Sequence, residues 1–394
     1  MTRTIGVFTG HRAEYGLLVP ILHAIRDADD LELRLFVGSA HGETALGRTL
    51  DEIEADGFRV AAEITVEMTG NDAAATPRAI GGGVLSAAAA LAANTPDIFL
   101  VYGDRFEAFA ALIASTQMRI PTAHMEGGDL TEGGALDDTV RHAMSKLAHI
   151  HFPTNPDAAN RLRAMGEEDW RIHDTGFPPI DLIRAGDFTP PEEVAERLGL
   201  SLERPVIVFT QHSISTEPEA AVQQVNPTLD ALDRARRDLD AQIIATFPNN
   251  DAGGREIAER LTAWANGRDG VVLRQSLGRL LYHGALNVSG RITAGACVGN
   301  SSSGLKETAA FGCPTVNVGT RQLGRLAGEN VVHVGYDADA IFDVLKRAAT
   351  DEAWREDLAN APNPYGTGES GPKVCDVLRD VPLGTELLVK RTIL

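Results

Sequence analysis

Short apolar runs rich in β-branched residues recur along the chain, and each is followed by a longer stretch with apolar positions at helical spacing. TIGVFTG (4–10), LELRLFVGS (31–39), DIFLVYGD (97–104), IPTAHMEGG (120–128) and HIHFPTN (149–155) form a first series. RPVIVFTQ (204–211), QIIATFPN (242–249), VVLRQS (271–276), ITAGACVG (292–299), PTVNVG (314–319) and VVHVGY (331–336) form a second. Strands that read as nearly continuous apolar runs, alternating with helices, indicate parallel sheets covered on both faces. The series are separated near residues 186–204 by a stretch containing Pro190 and Pro191, after which the pattern restarts. The pattern therefore predicts the α/β class, with two Rossmann-like domains in tandem. They are expected at residues 1–187 and 188–365, with 366–394 as a C-terminal tail or helix that returns to the first domain. GGG (81–83) beside SAAAALAA (86–93) is expected to form a mobile lid.

Length supports this division, because 394 residues exceed the usual size of a single core. No apolar run of about 18 residues could span a membrane. The first residues lead straight into an alternating strand without a cleavage-site pattern, so the expected location is the cytoplasm. Cys297, Cys313 and Cys375 are widely spaced, odd in number and without zinc-site spacing, which suits core filler in a reducing compartment. A formal net charge of −19 argues against nucleic acid or an anionic membrane as partner. An anionic ligand would need local cations and backbone amides. With five lysines against 31 arginines, those cations are mostly Arg.

Ligands of open parallel sheets sit outside the carboxyl ends of the strands, and two such domains facing each other would hold a ligand in the cleft between them. In the first domain, GHRAEYG presents His11, Arg12 and Glu14, with Arg12 as a phosphate-directed candidate. YGDRFEAF presents Asp104, which could equally be a helix N-cap. The loop AHMEGGDLTEGGALDDTVRH gathers Glu126, Asp129, Glu132, Asp137 and Asp138, with Gly127, Gly128, Gly133 and Gly134 allowing close backbone approach. Crowded carboxylates raise the pKa of at least one member, as acid/base work near neutral pH requires. Either Asp137 or Asp138 is expected to cap the helix TVRHAMSKLA, leaving the other for chemistry. A metal site is the rival explanation, but HExxH and paired Cys/His spacing are absent.

The second domain offers His212 in FTQHS, Asn249 in TFPNN, and GNSSSGLKE, where Ser301, Ser302 and Ser303 lie at a strand-to-helix turn suited to phosphate. Ordinary N-capping would account for one of these serines. Glu307, one turn on, suits a ribose diol, and GTRQLGR adds Arg321 and Arg325. G-x-G-x-x-G after a strand, the P-loop and the G-x-S-x-G elbow are all missing, which argues against a nicotinamide dehydrogenase, P-loop phosphoryl transfer and an α/β-hydrolase.

TGHRAEYGLL, YGDRFEAF, HMEGGDLTEGGALDDTVRHAMSKLAHIHF, TGFPPID and GNSSSGLKETAAFGCPTVNVGTRQLGR resemble, in order, the motifs of the hydrolysing UDP-N-acetylglucosamine 2-epimerases, over most of residues 4–335. The resemblance implies a glycosyltransferase-B-like pair of domains, a nucleotide sugar in the cleft, neither metal nor other cofactor, and a homodimer or homotetramer. It implies loss of UDP from C1 with loss of the C2 proton, then hydration of the 2-acetamidoglycal to N-acetylmannosamine. By position, Arg12, Asp104, Glu126, Asp137 and His212 match catalytic and phosphate-proximal residues. Arg105, Ser302, Ser303, Glu307 and Arg321 match nucleotide contacts in the same way, and Ser301 and Asn249 are further nucleotide-binding candidates. Asp137 and Asp138 could exchange roles, and no residue decides which carboxylate is the C2 base. A nucleotide-linked 2,4-diacetamido-2,4,6-trideoxyglucose, bound to UDP or GDP, is an alternative substrate of the same chemistry. A glycosyltransferase of the same fold is the alternative from another class.

Overall fold

The computed structural model describes residues 2–42, 49–70, 72, 74–131, 135–214, 216–249 and 252–393, except for the side chains of residues 12, 13, 49, 135 and 136. The chain divides into two units. One comprises Met1–Leu130, Leu136–Asp181 and Gly366–Leu394, the other Thr131–Ala135 and Leu182–Tyr365.

In the first unit the strands are β1 (Arg3–Thr9), β2 (Leu31–Gly38), β3 (Val60–Ile64), β4 (Ile98–Tyr102), β5 (Thr122–Met125) and β6 (Ile150–Phe152). They pair in the order β3-β2-β1-β4-β5-β6, and every pairing is parallel. Helices α1 (Arg12–Arg26), α2 (Thr49–Ala55), α3 (Ala75–Ala93), α4 (Phe106–Gln117), α5 (Ala135–Leu147), α6 (Pro156–Ala164) and α7 (Pro179–Ala185) follow the strands. β4 is buried at all five positions, as expected of a strand covered on both faces. Phe8, Phe36, Phe99 and Leu112 belong to its core, and Phe36 meets Phe99 edge to face at 5.5 Å between ring centroids.

The edge strand β3 was not anticipated. Its sequence, VAAEI, is mostly exposed and lacks the apolar run that identifies the inner strands. The glycines expected to form a lid lie inside the regular helix α3. A Cβ at Gly83 would stand 2.9 Å from Ala110 Cβ and 3.0 Å from Val66 Cγ2, so the missing side chain lets α3 close on α4.

The second unit carries β7 (Val206–Thr210), β8 (Gln242–Thr246), β9 (Val271–Arg274), β10 (Ala296–Gly299), β11 (Thr315–Val318) and β12 (Val331–Val334). Their order, β12-β11-β10-β7-β8-β9, is again wholly parallel. The helices are α8 (Pro191–Leu198), α9 (Ala221–Asp238), α10 (Gly254–Ala265), α11 (Gly278–Asn287), α12 (Ser303–Lys306), α13 (Ala338–Thr350) and α14 (Glu352–Asn360). Phe209, Trp264, Val298 and Ile341 lie in this unit's core. Cys297, Cys313 and Cys375 are buried free thiols, and burial pushes Cys313 and Cys375 up to about 11.

The division at Asp181 passes through α7, ahead of the boundary expected at 187/188. Asp181 accepts hydrogen bonds from the backbone N–H groups of Ser370 and Gly371, at 2.9 and 2.8 Å, at the start of α15 (Ser370–Asp380). After α16 (Thr385–Leu388), the buried Arg171 donates to the carbonyls of Glu386, Leu387 and Val389. Lys390 reaches the carbonyls of Ser145 and Lys146 at the end of α5 and pairs with Glu167 at 2.6 Å. The tail thereby holds the helix that carries Asp137, Asp138 and Arg141. Among the described residues, no helix is long and apolar enough to cross a membrane.

Each sheet reverses its strand order once, between β1 and β4 in the first unit and between β7 and β10 in the second. Loops leaving neighbouring strands in opposite directions open a crevice at such a reversal, which is where ligands bind open α/β sheets. In the second unit the approach is close at Gly299, whose φ is +124° and where a Cβ would lie 1.9 Å from the Thr210 carbonyl oxygen. Only glycine tolerates both constraints.

Candidate functional site

In the first unit the reversal brings together the loops after Thr9 and after Tyr102. Asp104 does not cap α4, because the helix starts one residue later with Arg105 at the N-cap and no side-chain cap bond. Instead, Asp104 forms a close ion pair with Arg141 of α5. Arg141 also donates to Asp138 at 3.2 Å, and its side chain is only 4% exposed. Burial works against its charge but is outweighed by Asp104, Glu126, Asp129 and Asp138, which hold the guanidinium above its ordinary pKa. Several acids of the glycine-rich loop thus surround one buried cation. Their mutual repulsion is offset locally rather than relieved by solvent.

Neither Asp137 nor Asp138 is the N-cap of α5. The helix begins at Ala135, so both lie in its first turn, where the macrodipole favours negative charge. Asp137 is exposed, while Asp138 is half-buried beside Arg141. Glu126 is buried at the end of β5 with a left-handed φ of 65°, and its N–H donates to the Phe152 carbonyl at 2.9 Å. Burial and the Glu126 charge push the neighbouring Tyr102 phenol well above its ordinary pKa. Glu132, Gly133, Gly134 and the side chain of Arg12 lie outside the described residues. Arg105 donates twice to buried Glu107, at 2.8 and 3.2 Å. Glu14 accepts from the Gly10 N–H at 2.7 Å, and burial followed by the charge of Glu107 raises its carboxyl to about 8.

His124 connects these elements. Its Nε2 lies 2.7 Å from the Gly103 carbonyl, next to Asp104, and its Nδ1 lies 3.1 Å from Ser145 Oγ in α5. Burial lowers His124 to about 3, and lowers His41, His149 and His151 to about 4. The unfolded chain, with histidines near 6.5, binds more protons than the native state between pH 6.5 and about 4. Stability is therefore lost as pH falls through that window, by up to about 1.4 kcal/mol per pH unit for each group. Glu14 acts in the opposite sense between 4.5 and 8, because its native form keeps the proton. The histidines lowered by burial, which also include His142, His173 and His212, outnumber the carboxyls raised by it, Glu14, Asp174 and Asp181, so the expected melting temperature is lower at pH 5 than at pH 7.5. A scan showing equal or higher melting temperature at pH 5 would mean that the histidines are not held neutral.

In the second unit, His212 follows β7 and is buried. Its Nδ1 accepts the Asn249 backbone N–H at 3.0 Å, so the ring proton belongs on Nε2. Burial, and next the Arg321 charge, lower His212 to about 3. Arg321 donates to the Asn300 carbonyl at 3.1 Å. Ser301 and Ser302 lie between β10 and α12, a single turn that Ser303 begins. Its N-cap, Ser302, makes no side-chain cap bond, so the capping expected of one serine is not realised. Ser303 instead donates to Glu307 Oε2 at 2.9 Å, an oxygen also 3.1 Å from His283 Nε2.

The structure therefore groups Asp104, Glu126 and Asp138 around Arg141 in one unit, and in the other His212 and Arg321 around Asn300, with Asn249 on His212. Sequence reasoning missed Arg141, His124, Asn300 and Gln322, whose Nε2 donates to the Asn300 carbonyl. Asp138 and Arg141 stand at i,i+3 spacing, which was a visible signal. For Asn300 and Gln322 no spacing gave one.

Known proteins extend these observations. A family model described as UDP-N-acetylglucosamine 2-epimerase matches residues 23–379. The chain is 30% identical over 390 residues to the UDP-N,N'-diacetylbacillosamine 2-epimerase (hydrolyzing) of Legionella pneumophila, covering 99% of each chain. It is 32% identical over 343 residues to the UDP-N-acetylglucosamine 2-epimerase of Neisseria meningitidis, covering 87% of this chain and 86% of that one. A crystal structure of UDP-GlcNAc 2-epimerase from Neisseria meningitidis bound to UDP-GlcNAc superposes with a TM-score of 0.79 at 19% identity, over 95% of this chain and 99% of that one. The calicheamicin glycosyltransferase CalG4 superposes with a TM-score of 0.57 at 13% identity, over 97% of this chain and all of that one. These two likenesses speak for the fold alone, a glycosyltransferase-B-like pair of Rossmann domains. With the family match spanning most of its length and a relative at 30% identity from end to end, the chain belongs to the UDP-N-acetylglucosamine 2-epimerase family.

Proposed function

We propose that this protein is a hydrolysing 2-epimerase that converts UDP-N-acetylglucosamine to N-acetylmannosamine and UDP. The observation that carries the reading is the buried carboxylate cluster around Arg141 at the strand ends of the first unit. No carbonyl activates the C2 hydrogen of an N-acetylhexosamine, so a base alone cannot remove it. C1–O cleavage leads: the bonding pair leaves with UDP, and positive charge builds on the ring. A carboxylate then takes the C2 proton, and the C2–H pair becomes the C1=C2 bond of a 2-acetamidoglycal. Water adds its oxygen at C1 while a proton returns to C2 on the opposite face.

Glu126 takes the C2 proton, and Asp104, paired with Arg141, balances the oxocarbenium-like charge; Asp137 assists from the first turn of α5. His212 donates Nε2–H to the departing diphosphate, assisted by Arg12, Arg105, Arg321 and the Ser301–Ser303 turn. Preorganised donors of this kind each lower the barrier by about 3–4 kcal/mol. Glu307 holds the ribose diol.

Incubation with UDP-N-acetylglucosamine in D2O, followed by proton NMR, tests the proposal. The expected products are UDP and free N-acetylmannosamine deuterated at C2. A UDP-linked epimer would replace the hydrolysing reading with a reversible one, and transfer to an added acceptor without a free epimerised sugar would indicate a glycosyltransferase. The end-to-end likeness to the Legionella pneumophila enzyme favours a second substrate, UDP-linked 2,4-diacetamido-2,4,6-trideoxyglucose. Turnover of that sugar with inert UDP-N-acetylglucosamine would select it.

A further inference from the structure

Three loops of the second unit carry groups that the proposed reaction needs: His212 after β7, the serines after β10, and Arg321 after β11. All three converge on Asn300. Its Oδ1 accepts the His212 backbone N–H at 2.6 Å, and its Nδ2 donates to the His212 carbonyl at 2.9 Å. One side chain thus satisfies both backbone polar groups of His212. The Asn300 carbonyl accepts Arg321 Nη1 at 3.1 Å and Gln322 Nε2 at 2.8 Å, and its N–H donates to the Thr210 carbonyl at 3.2 Å. Asn300 and Gln322 are both buried, at 1% and 0% exposure.

This arrangement needs an amide. The clasp requires an acceptor and a donor side by side at fixed separation; a carboxylate of the same shape would set oxygen against the His212 carbonyl, and a hydroxyl is too short to reach both. The left-handed backbone at Gly299, pressed on Thr210, delivers Asn300 to this position. With its backbone clasped, His212 can hold Nδ1 on the Asn249 N–H, which fixes the tautomer and directs Nε2–H elsewhere.

We propose that Asn300 is a positioning residue that fixes the orientation and tautomer of His212 for the departing diphosphate. Its effect on rate rests on the epimerase reading above; its effect on His212 does not. In the Asn300→Ala variant, the imidazole loses its anchored backbone while Arg321 and Gln322 keep the residue-300 carbonyl. The expected result is a turnover number about 10²-fold lower, because small displacements of a reacting group cost that much, with UDP affinity changed less than about 3-fold.

Nitrogen-15 NMR of the imidazole provides a readout that simple loss of packing would not move. The wild-type protein is expected to show His212 as the single Nε2–H tautomer, and N300A as a mixture. Asn300→Asp tests the same clasp in a nearly isosteric side chain if N300A fails to fold, and is expected to show the same mixture. A single unchanged tautomer in a folded variant would overturn the proposal, as would wild-type turnover in N300A. If the wild-type protein turns over neither sugar nucleotide, the epimerase reading fails and the tautomer comparison alone decides the role of Asn300.

Discussion

Replacement of Glu126 by Gln is expected to lower turnover by about 10²–10⁴-fold, the usual contribution of a positioned acid or base, while UDP binds as it does to the wild-type protein. Gln keeps the volume and one acceptor oxygen of Glu126 but can neither carry the charge felt by Arg141 and Tyr102 nor take a proton. Glu126 is assigned to the C2 proton and not to UDP, so isothermal titration with UDP separates loss of chemistry from loss of binding. A fully active E126Q would remove Glu126 from the reaction.

The backbone at Glu126 adds a second expectation. A φ of 65° costs a side-chain-bearing residue of order 1 kcal/mol, whereas glycine adopts it without steric penalty. Among inactive variants, E126G is therefore expected to melt above E126A, the reverse of the order in an ordinary strand or helix. The protein retains this strain at the strand end.

Periodicity made much of the fold legible because inner strands buried on both faces cannot avoid apolar runs. VIVFT and QIIAT, both wholly buried, announce themselves. VAAEI does not, because an edge strand with an exposed face need not be apolar. The glycines of α3 misled for a related reason: three in a row ordinarily weaken a helix, and only the proximity of Ala110 and Val66 shows why Gly83 is accommodated. At the site, motifs supplied the residues but not their partners. Asp104 was open to capping or chemistry because the residue that pairs with it, Arg141, lies 37 positions later. Asn300 stood in plain view beside three serines, yet its clasp on His212 spans 88 positions. Long-range pairing of this kind leaves no local spacing to read.

The dependence of the carboxylates on Arg141 can be tested in the same way. Removal of one partner from a buried ion cluster typically costs about 3–5 kcal/mol, because the remaining charges stay desolvated. Arg141→Ala strands Asp104 and Asp138, which hydrogen-bond to the guanidinium, together with the nearby charges of Glu126 and Asp129. The variant is expected to melt well below the wild-type protein at pH 7.5 and to have no measurable turnover. The deficit should narrow at pH 5.5, since crowded carboxylates without a cation hold protons more tightly when folded than when unfolded. Arg141→Lys keeps the charge but cannot engage two carboxylates in one planar fork. It is expected to regain more of the stability than of the turnover. If R141A instead matches the wild-type melting temperature at neutral pH, the acids are balanced by solvent or by one another, and the buried cation is not what allows them to share the site.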